Sequence, residues 1–181
     1  MLIGITGTPG TGKTSVSKIL EIKGFTVIDL NSIVEKNNLI VSKDKLRDSY
    51  IVDTDKLNNF FKDFKDDDLT FIDGHLSHFI DRLDKVILLR CKPEKLKKNL
   101  SKKNWPEKKI NENVESEILD IILSECVENY SEEDIFEIDT SNYDVIKVSE
   151  IILDIIDKNF KNIKKYKIGK IDWSEHILED F

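Results

Sequence analysis

The chain has 181 residues, 39% of them hydrophobic and 35% charged, a length and composition that predict a single domain around one packed core. The net charge of −7 at pH 7 disfavours a nucleic acid partner but is compatible with a basic protein partner. Because the longest apolar runs, such as Val86 to Leu89, cannot span a bilayer and the first residues lack a basic secretory segment, we expect a cytoplasmic protein with no membrane partner.

Short apolar runs alternate with helical patterns along the chain, beginning at its first residues. An alternating order of strand and helix predicts a parallel sheet with helices on both faces, which is an α/β fold. The predicted strands are Leu2 to Thr6, Phe25 to Ile28, Leu69 to Ile72, Lys85 to Leu89 and Ile135 to Ile138.

Apolar residues at helical spacing predict the main helices between these strands. The first helix follows the first strand and should end at Gly24, and Ser174 should cap a last short turn near the end of the chain. Two further helices are predicted from Glu107 to about Asn129 and from Val145 to Ile163.

Two segments interrupt the alternation. The polar stretch from Asn31 to Leu57 is long enough for an inserted helical arm, and the stretch from Lys97 to Lys109 is rich in lysine and contains Trp105. A basic segment that closes over a polyphosphate would neutralise its charge and exclude water. We therefore interpret the second segment as a lid and the first as an arm that holds the acceptor.

The first predicted strand leads into Gly7-Thr8-Pro9-Gly10-Thr11-Gly12-Lys13-Thr14, which matches the phosphate-binding pattern G-x-x-x-x-G-K-[ST] between a strand and a helix. In such a loop the backbone amides point inward at an anion, and the helix that follows adds its positive end. Lys13 should reach the β and γ phosphates of ATP, the Thr14 hydroxyl should bind Mg²⁺, and Ser15 should lie near the α phosphate. The motif predicts a P-loop phosphotransferase. Its predicted nucleotide-binding residues are Gly10, Thr11, Gly12, Lys13, Thr14 and Ser15.

The third predicted strand ends in Asp73-Gly74-His75. In P-loop enzymes the strand beside the P-loop strand carries an acid near the magnesium, so Asp73 is predicted to bind Mg²⁺, directly or through water. His75 is predicted to orient a water molecule or contact a phosphate. The alternative is that Asp73 caps a helix and that His75 is polar surface.

Several other reactive or charged residues receive structural interpretations. Cys91 and Cys126 lie far apart and form no metal-binding pair, so we expect part-buried thiols. His78 and His176 are expected to be structural. Phosphoryl transfer commonly uses arginine, and the arginines of this chain are Arg47, Arg82 and Arg90.

The P-loop, the Asp73-Gly74-His75 strand end and the stretch from Lys103-Asn104-Trp105 through Ile110-Asn111-Glu112-Asn113-Val114-Glu115-Ser116-Glu117-Ile118 resemble the adenylate kinase isoenzyme six family. The resemblance runs from the P-loop to about residue 143, and the lid stretch is its most specific part. It implies an adenylate kinase-like fold with an acceptor arm from about Asp29 to Val52 and a lid from about Lys102 to Glu112.

The same resemblance implies transfer of phosphate from ATP to a nucleoside monophosphate, commonly AMP, together with ATPase activity. Asp73 and His75 match the family's magnesium and water site, Lys103 is a catalytic lid residue at a position where the family often has arginine, and Val34 replaces a frequent basic residue. Asn142 and Tyr143 fall where the family's adenine-contacting loop lies. The family also binds a basic small-subunit ribosomal protein transiently during rRNA maturation.

Two alternatives remain open from the sequence. One is an assembly factor that is switched by ATP hydrolysis and has negligible kinase activity. The other is a kinase of a small hydroxyl metabolite, which would need a base such as Asp29 or Asp53 near the acceptor.

Overall fold

The computed structural model describes residues 1–44, 49–65 and 68–178, so Arg47 lies outside the described residues. The predicted parallel sheet is confirmed, with five strands in the order β2-β5-β1-β6-β7 and a separate two-stranded antiparallel hairpin of β3 and β4. The strands are β1 Leu2–Thr6, β2 Thr26–Asp29, β3 Ile40–Asp44, β4 Ser49–Val52, β5 Thr70–Asp73, β6 Lys85–Arg90 and β7 Ile135–Asp139.

Aspartate side chains begin three of the helices by accepting backbone N–H groups of the first turn. Asp29, Asp53 and Asp144 each cap a helix in this way, which satisfies donors that have no partner inside the helix. The helices are α1 Lys13–Ile22, α2 Leu30–Lys36, α3 Thr54–Lys62, α4 Pro93–Ser101, α5 Glu107–Ile118, α6 Ile121–Asn129 and α7 Val145–Asp157.

The central strand β1 is buried along its whole length because helices cover both faces of the sheet. On one face α1 and α7 pack against Ile3, Ile5 and neighbouring apolar residues. On the other face α2, α3 and Cys126 of α6 pack against Leu2 and Ile72. Because β1 lies in the middle, its carboxyl end opens between neighbouring strands, which is where ligands bind in sheets of this type.

Two predicted helices are shorter than the sequence pattern indicated. The helix predicted from Glu107 to Asn129 is two helices, because Asp120 adopts a left-handed backbone with φ 54° and its carboxylate binds the buried Arg90 guanidinium. The helix predicted to reach Ile163 ends at Asp157, since Asn159 and Phe160 are also left-handed. In both places a local backbone turn overrides the apolar periodicity.

The inserted arm is only partly helical. It consists of α2 followed by the β3–β4 hairpin, whose strand-forming residues include Val41, Tyr50 and Ile51. At the other end of the chain a short 3-10 turn begins at Ser174, as predicted, but Asp172 caps it by accepting the Ser174 N–H. No helix within the described ranges is long and apolar enough to cross a membrane.

Candidate active site

The loop between β1 and α1 has a backbone that requires glycine. Gly7, Gly10 and Gly12 have φ values of 137°, 96° and 104°, a region that residues with a side chain rarely adopt. A Cβ atom on Gly7 would lie 2.3 Å from the carbonyl oxygen of Leu89. The loop therefore curls tightly against β6 and ends at Gly12, which is the N-cap of α1.

Lys13 is buried in the concave side of this loop. Its Nζ atom donates to the carbonyl oxygens of Gly7 at 2.6 Å and Thr8 at 3.0 Å. Burial, together with the nearby Lys103, lowers its pKa to about 8, although Asp73 acts in the opposite direction. The lid lysine Lys103 is therefore within electrostatic reach of the P-loop ammonium group.

Asp73 lies beside the P-loop because β5 pairs directly with β1, with Asp73 opposite Ile5. Desolvation raises the pKa of its carboxyl group, whereas Lys13 and a hydrogen bond from the Thr14 hydroxyl lower it. A carboxylate and a hydroxyl are hard oxygen ligands of the kind that Mg²⁺ prefers. The two residues that were predicted to bind magnesium are thus adjacent, and their chemistry fits that ion.

The two histidines after β5 have different surroundings. His75 is an exposed residue of the cleft surface. Desolvation by the cleft walls, and then the charges of Lys13 and Lys109, lower the pKa of its imidazole to about 4, so the imidazole is neutral at pH 7. His78 is fully buried, with Nδ1 2.9 Å from Thr6 Oγ1 and Nε2 3.0 Å from Glu125 Oε2. The structural interpretation of His78 agrees with this position.

The basic segment forms α4, the loop after it and the start of α5. Lys102, Lys103 and Lys109 line the cleft, and the Nζ atoms of Lys103 and Lys109 lie 5.0 and 4.4 Å from the centroid of the Trp105 ring. In addition, the side-chain amide of Asn99 donates to the Gly10 carbonyl at 3.0 Å. The lid therefore presents lysine, not arginine, to the P-loop.

Residues after β7 form the remaining wall beside the P-loop. Tyr143 lines the cleft, whereas Asn142 is exposed and is not one of the cleft residues. The Thr140 hydroxyl donates to the Thr11 carbonyl at 3.0 Å, which ties this wall to the loop. Of the two residues predicted to contact adenine, the structure places only Tyr143 in the cleft.

A buried ionic network beneath the P-loop escaped the sequence analysis. Arg90 donates to the carboxylates of Glu117 and Glu137, each at 2.7 Å, and to Asp120. The Thr8 hydroxyl donates to the other oxygen of Glu117. A signal was present, because Glu117 lies on the same helical face as the apolar Ile110, where an unpaired glutamate would be costly.

The P-loop, Asp73, His75, the lid lysines and Tyr143 open into one cleft of about 1080 Å³. One half contains the P-loop, the lid lysines and Tyr143. The other half is mainly apolar, and Val34 packs into the core there with 5% of its surface exposed. This second half is lined by Leu30, Asn31, Val34, Glu35, Tyr50, Leu76, Phe79, Ile121, Ile122 and Glu125.

Comparison with known sequences identifies archaeal relatives of the whole chain. An AAA domain family model matches residues 3–120. The protein named "Putative adenylate kinase" from Methanocaldococcus jannaschii is 41% identical over 181 residues, which cover 99% of this chain and 96% of that protein. Proteins of the same name from Methanococcus maripaludis and Archaeoglobus fulgidus are 40% and 39% identical, covering 100% of this chain and 97% and 98% of their own lengths.

Comparison with solved structures shows that the fold is that of the P-loop kinases. Shikimate kinase from Acinetobacter baumannii in complex with shikimate superposes with a TM-score of 0.59 at 20% identity, covering 87% of this chain and 93% of that chain. Deoxyadenosine kinase from M. mycoides with bound dATP gives a TM-score of 0.53 at 17% identity, covering 87% of this chain and 100% of that chain.

Proposed function

This chain belongs to the family of the archaeal proteins named as adenylate kinases, and from that premise we propose that it transfers the terminal phosphate of ATP to a nucleoside monophosphate, with AMP as the expected acceptor. The observation that carries the proposal is a single cleft in which Lys13 and the Asp73–Thr14 pair lie next to an apolar half that lacks a phosphate loop of its own. A phosphate donor and a separate acceptor require such a two-part cleft. The lid stretch further supports the isoenzyme six branch.

In this proposal the residues of the chain position charge and perform little covalent chemistry. Lys13 exchanges the carbonyls of Gly7 and Thr8 for phosphate oxygens, while the loop amides hold the same anion. Thr14 and Asp73 would hold magnesium, which would neutralise charge on the transferred group. No base is needed, because a monophosphate has a second pKa of about 6 and is already ionised at pH 7.

The lid lysines supply positive charge that would attract the lid to the phosphates of ATP. Lys102, Lys103 and Lys109 all face it, and expulsion of water would strengthen their attraction for the phosphates. Lysine lacks the planar fork with which arginine binds two oxygens at once. We therefore expect the lid to neutralise charge without a fixed bidentate contact.

An acceptor screen tests the proposal directly. The protein is incubated with ATP and Mg²⁺, with radiolabelled AMP, GMP, CMP or UMP in turn, and the labelled diphosphates are separated by chromatography. We expect ADP to form from AMP fastest and the reaction to be lost in Lys13→Ala. ATP hydrolysis at one unchanged rate with every acceptor, without any new diphosphate, would contradict the kinase.

A second activity, hydrolysis of ATP in the absence of an acceptor, is favoured by the position of His75. Its imidazole is neutral at pH 7 because its pKa is lowered to about 4, so it keeps a lone pair with which to orient water. We propose that the protein hydrolyses ATP slowly and that magnesium is required. An assay of phosphate release without acceptor, in the parent and in His75→Ala, checks this activity.

The resemblance also supports a role as an ATP-switched assembly factor, which we keep as part of the proposal. The net charge of −7 suits transient binding to a basic small-subunit ribosomal protein. Capture of that ribosomal protein should then depend on whether ATP or ADP is present. Equal capture with both nucleotides, or none with either, would remove this role and leave the kinase untouched.

A kinase of a hydroxyl metabolite is the least favoured function. Asp29 and Asp53 were its candidate bases, but both carboxylates cap helices, and neither lines the cleft. A hydrogen bond from the Lys56 backbone also lowers the pKa of Asp53, which weakens it as a base. Including hydroxyl compounds such as shikimate in the acceptor screen tests this alternative.

A further inference from the structure

The side chain of Thr8 links the P-loop to the lid from beneath. Thr8 is 1% exposed, does not line the cleft, and donates its hydroxyl hydrogen to Oε2 of Glu117. The other carboxylate oxygen of Glu117 accepts from Arg90 Nε at 2.7 Å and from the Cys91 backbone at 3.1 Å. One buried carboxylate thus holds both the P-loop and the end of β6.

Glu117 is also part of the helix that carries the lid. It lies in the last turn of α5, whereas Lys109, Glu112 and Asn113 on earlier turns of the same helix line the cleft. A helix is a stiff element, so a shift at its lid end is transmitted to its other end. The position of α5 and the position of Thr8 are therefore joined through Glu117.

We expect nucleotide binding to change the hydrogen bonds of Thr8. The Thr8 carbonyl accepts from Lys13 Nζ at 3.0 Å and from the Thr11 hydroxyl at 2.9 Å. When Lys13 turns to a phosphate, Thr8 loses its charged donor. The hydrogen bond from the Thr8 hydroxyl to Glu117 does not involve Lys13, so it is kept when Lys13 moves. Any shift of the loop at Thr8 is therefore passed to Glu117.

We propose that Glu117 is a positioning residue that couples occupation of the P-loop to closure of the lid helix α5. This inference rests on the proposed function, because it concerns how ATP in the P-loop prepares the lid for transfer. It assigns a regulatory contact to Thr8 and Glu117, neither of which lines the cleft. The coupling is a free energy shared by two sites, and it disappears when the bond between them is removed.

Three substitutions isolate the Thr8–Glu117 bond. Thr8→Val removes the hydroxyl but keeps the size of the side chain, and Thr8→Ser keeps the hydroxyl. Thr70→Val is the matched control, since it removes a buried hydroxyl at the start of β5, opposite Leu2 and at the other end of the strands from the P-loop. Lid closure is followed by the fluorescence of Trp105, and Trp105→Phe identifies its share of the signal.

Binding and closure are measured with the magnesium complex of a non-hydrolysable ATP analogue. Calorimetry should show affinities within about threefold of the parent for Thr8→Val, because the loop amides and Lys13 remain. The Trp105 response to the analogue should be lost in Thr8→Val and present in Thr8→Ser and Thr70→Val. In turnover, kcat of Thr8→Val should fall about tenfold, equivalent to about 1.4 kcal/mol, with KM for ATP nearly unchanged.

The outcomes separate this inference from the proposed function. If the parent binds no nucleotide, the proposed function fails. If Thr8→Val binds nucleotide and shows the parent's Trp105 response and kcat, only the coupling is overturned. A fall in kcat that Thr70→Val shares equally also overturns it, because the effect is then a general loss of packing.

A second measurement on the unaltered chain covers the case in which Thr8→Val does not fold. Hydrogen exchange of backbone amides is compared with and without the nucleotide analogue. We expect slower exchange in the last turn of α5, around Glu117, as well as in the P-loop. Protection confined to the P-loop would overturn the coupling without any substitution.

Discussion

Nε of Arg90 lies 2.7 Å from Oε1 of Glu117, and each side chain has only 2% of its surface exposed. Two further carboxylates, those of Glu137 and Asp120, bind the same guanidinium. Burial alone lowers the pKa of Arg90, but these carboxylates outweigh it and raise the pKa. Arg90, one of the three arginines of the chain, therefore serves as a permanent cation inside the fold.

Removing this cation should strongly destabilise the protein. Arg90→Leu leaves the carboxylates of Glu117 and Glu137 buried without their partner, and breaking a buried ion pair in this way costs about 3–5 kcal/mol. Urea denaturation monitored by circular dichroism measures the free energy of unfolding. Arg82→Leu is the control, because Arg82 is exposed and its loss should cost about 1 kcal/mol or less. Similar losses for the two variants would contradict the network's importance.

Lys13→Ala should separate stability from activity. The ammonium group is buried and its pKa is lowered to about 8, so its burial opposes folding, and the alanine variant should be at least as stable as the parent. ATP turnover should nevertheless fall about 10²–10³-fold, since a positioned charge at the transferred phosphate is lost. Lys18→Ala, at an exposed position of α1, should change neither quantity. A Lys13→Ala enzyme with parental turnover would contradict the site.

The pH dependence of nucleotide binding follows from the same lysine. Its pKa in the free protein is about 8, below the ordinary 10.5, so the cation that attracts phosphate disappears from the free protein above about pH 8. Affinity for the magnesium complex of ATP should be constant from pH 6.5 to 7.5 and decline above pH 8. The stability of the unliganded protein should change with pH in the opposite direction. Because the unfolded chain holds the Lys13 proton more tightly than the folded protein does, the free energy of unfolding should rise between about pH 8 and 10.5.

Calorimetric titrations at a series of pH values check the binding profile. Urea midpoints at the same values report whether the protein stays folded and whether stability follows the expected sign. An affinity that stays flat up to pH 10 would show that Lys13 retains its proton when the site is empty.

Asp73→Asn should weaken the response to magnesium without harming the fold. Desolvation raises the pKa of this carboxyl group, which means that its charge is unfavourable in the unliganded protein, so the amide should be tolerated. Turnover should fall about 10²-fold or more as magnesium loses a charged ligand. Turnover against magnesium concentration is the measurement. Asp63→Asn, at an exposed position at the end of α3, is the control. Equal effects of the two variants would contradict the assignment of Asp73 as a magnesium ligand.

His75 should work as a neutral imidazole across the physiological range. Because its pKa is about 4, ATPase activity without acceptor should show no inflection between pH 5.5 and 7.5, where an ordinary histidine titrates. His75→Asn should reduce that activity about 10²-fold, whereas His176→Asn in the tail should leave it unchanged. A clear inflection near pH 6.5 in the parent, absent from His75→Asn, would contradict the neutral form.

Many features of the fold and the site follow from short-range sequence patterns. Runs such as Val86 to Leu89 are apolar without alternation, and this predicted strands buried on both faces. The glycines of the P-loop need positive φ values, so their spacing alone indicated the loop. The position of Asp73 beside it also followed, because parallel strands bring their carboxyl ends to one edge.

Other features depend on contacts between distant parts of the chain. The break at Asp120 is stabilised by Arg90 on a strand, and no local pattern in an otherwise helical stretch reveals it. The β3–β4 hairpin was missed because its polar segment was interpreted as helical. Likewise, the resemblance placed both Asn142 and Tyr143 in an adenine-contacting loop, and only Tyr143 lines the cleft, because adjacent residues in a loop need not face the same way.

The sequence by itself determined the order of strands and helices, the phosphate loop and the two residues that fit magnesium, since each depends on the backbone preferences or spacing of neighbouring residues. Only the tertiary structure decided that Arg90 is an internal cation and that Glu117 joins Thr8 to the lid helix. These ion pairs and the Thr8–Glu117 hydrogen bond link residues far apart along the chain. The low-dielectric interior that strengthens them exists only once the chain has folded.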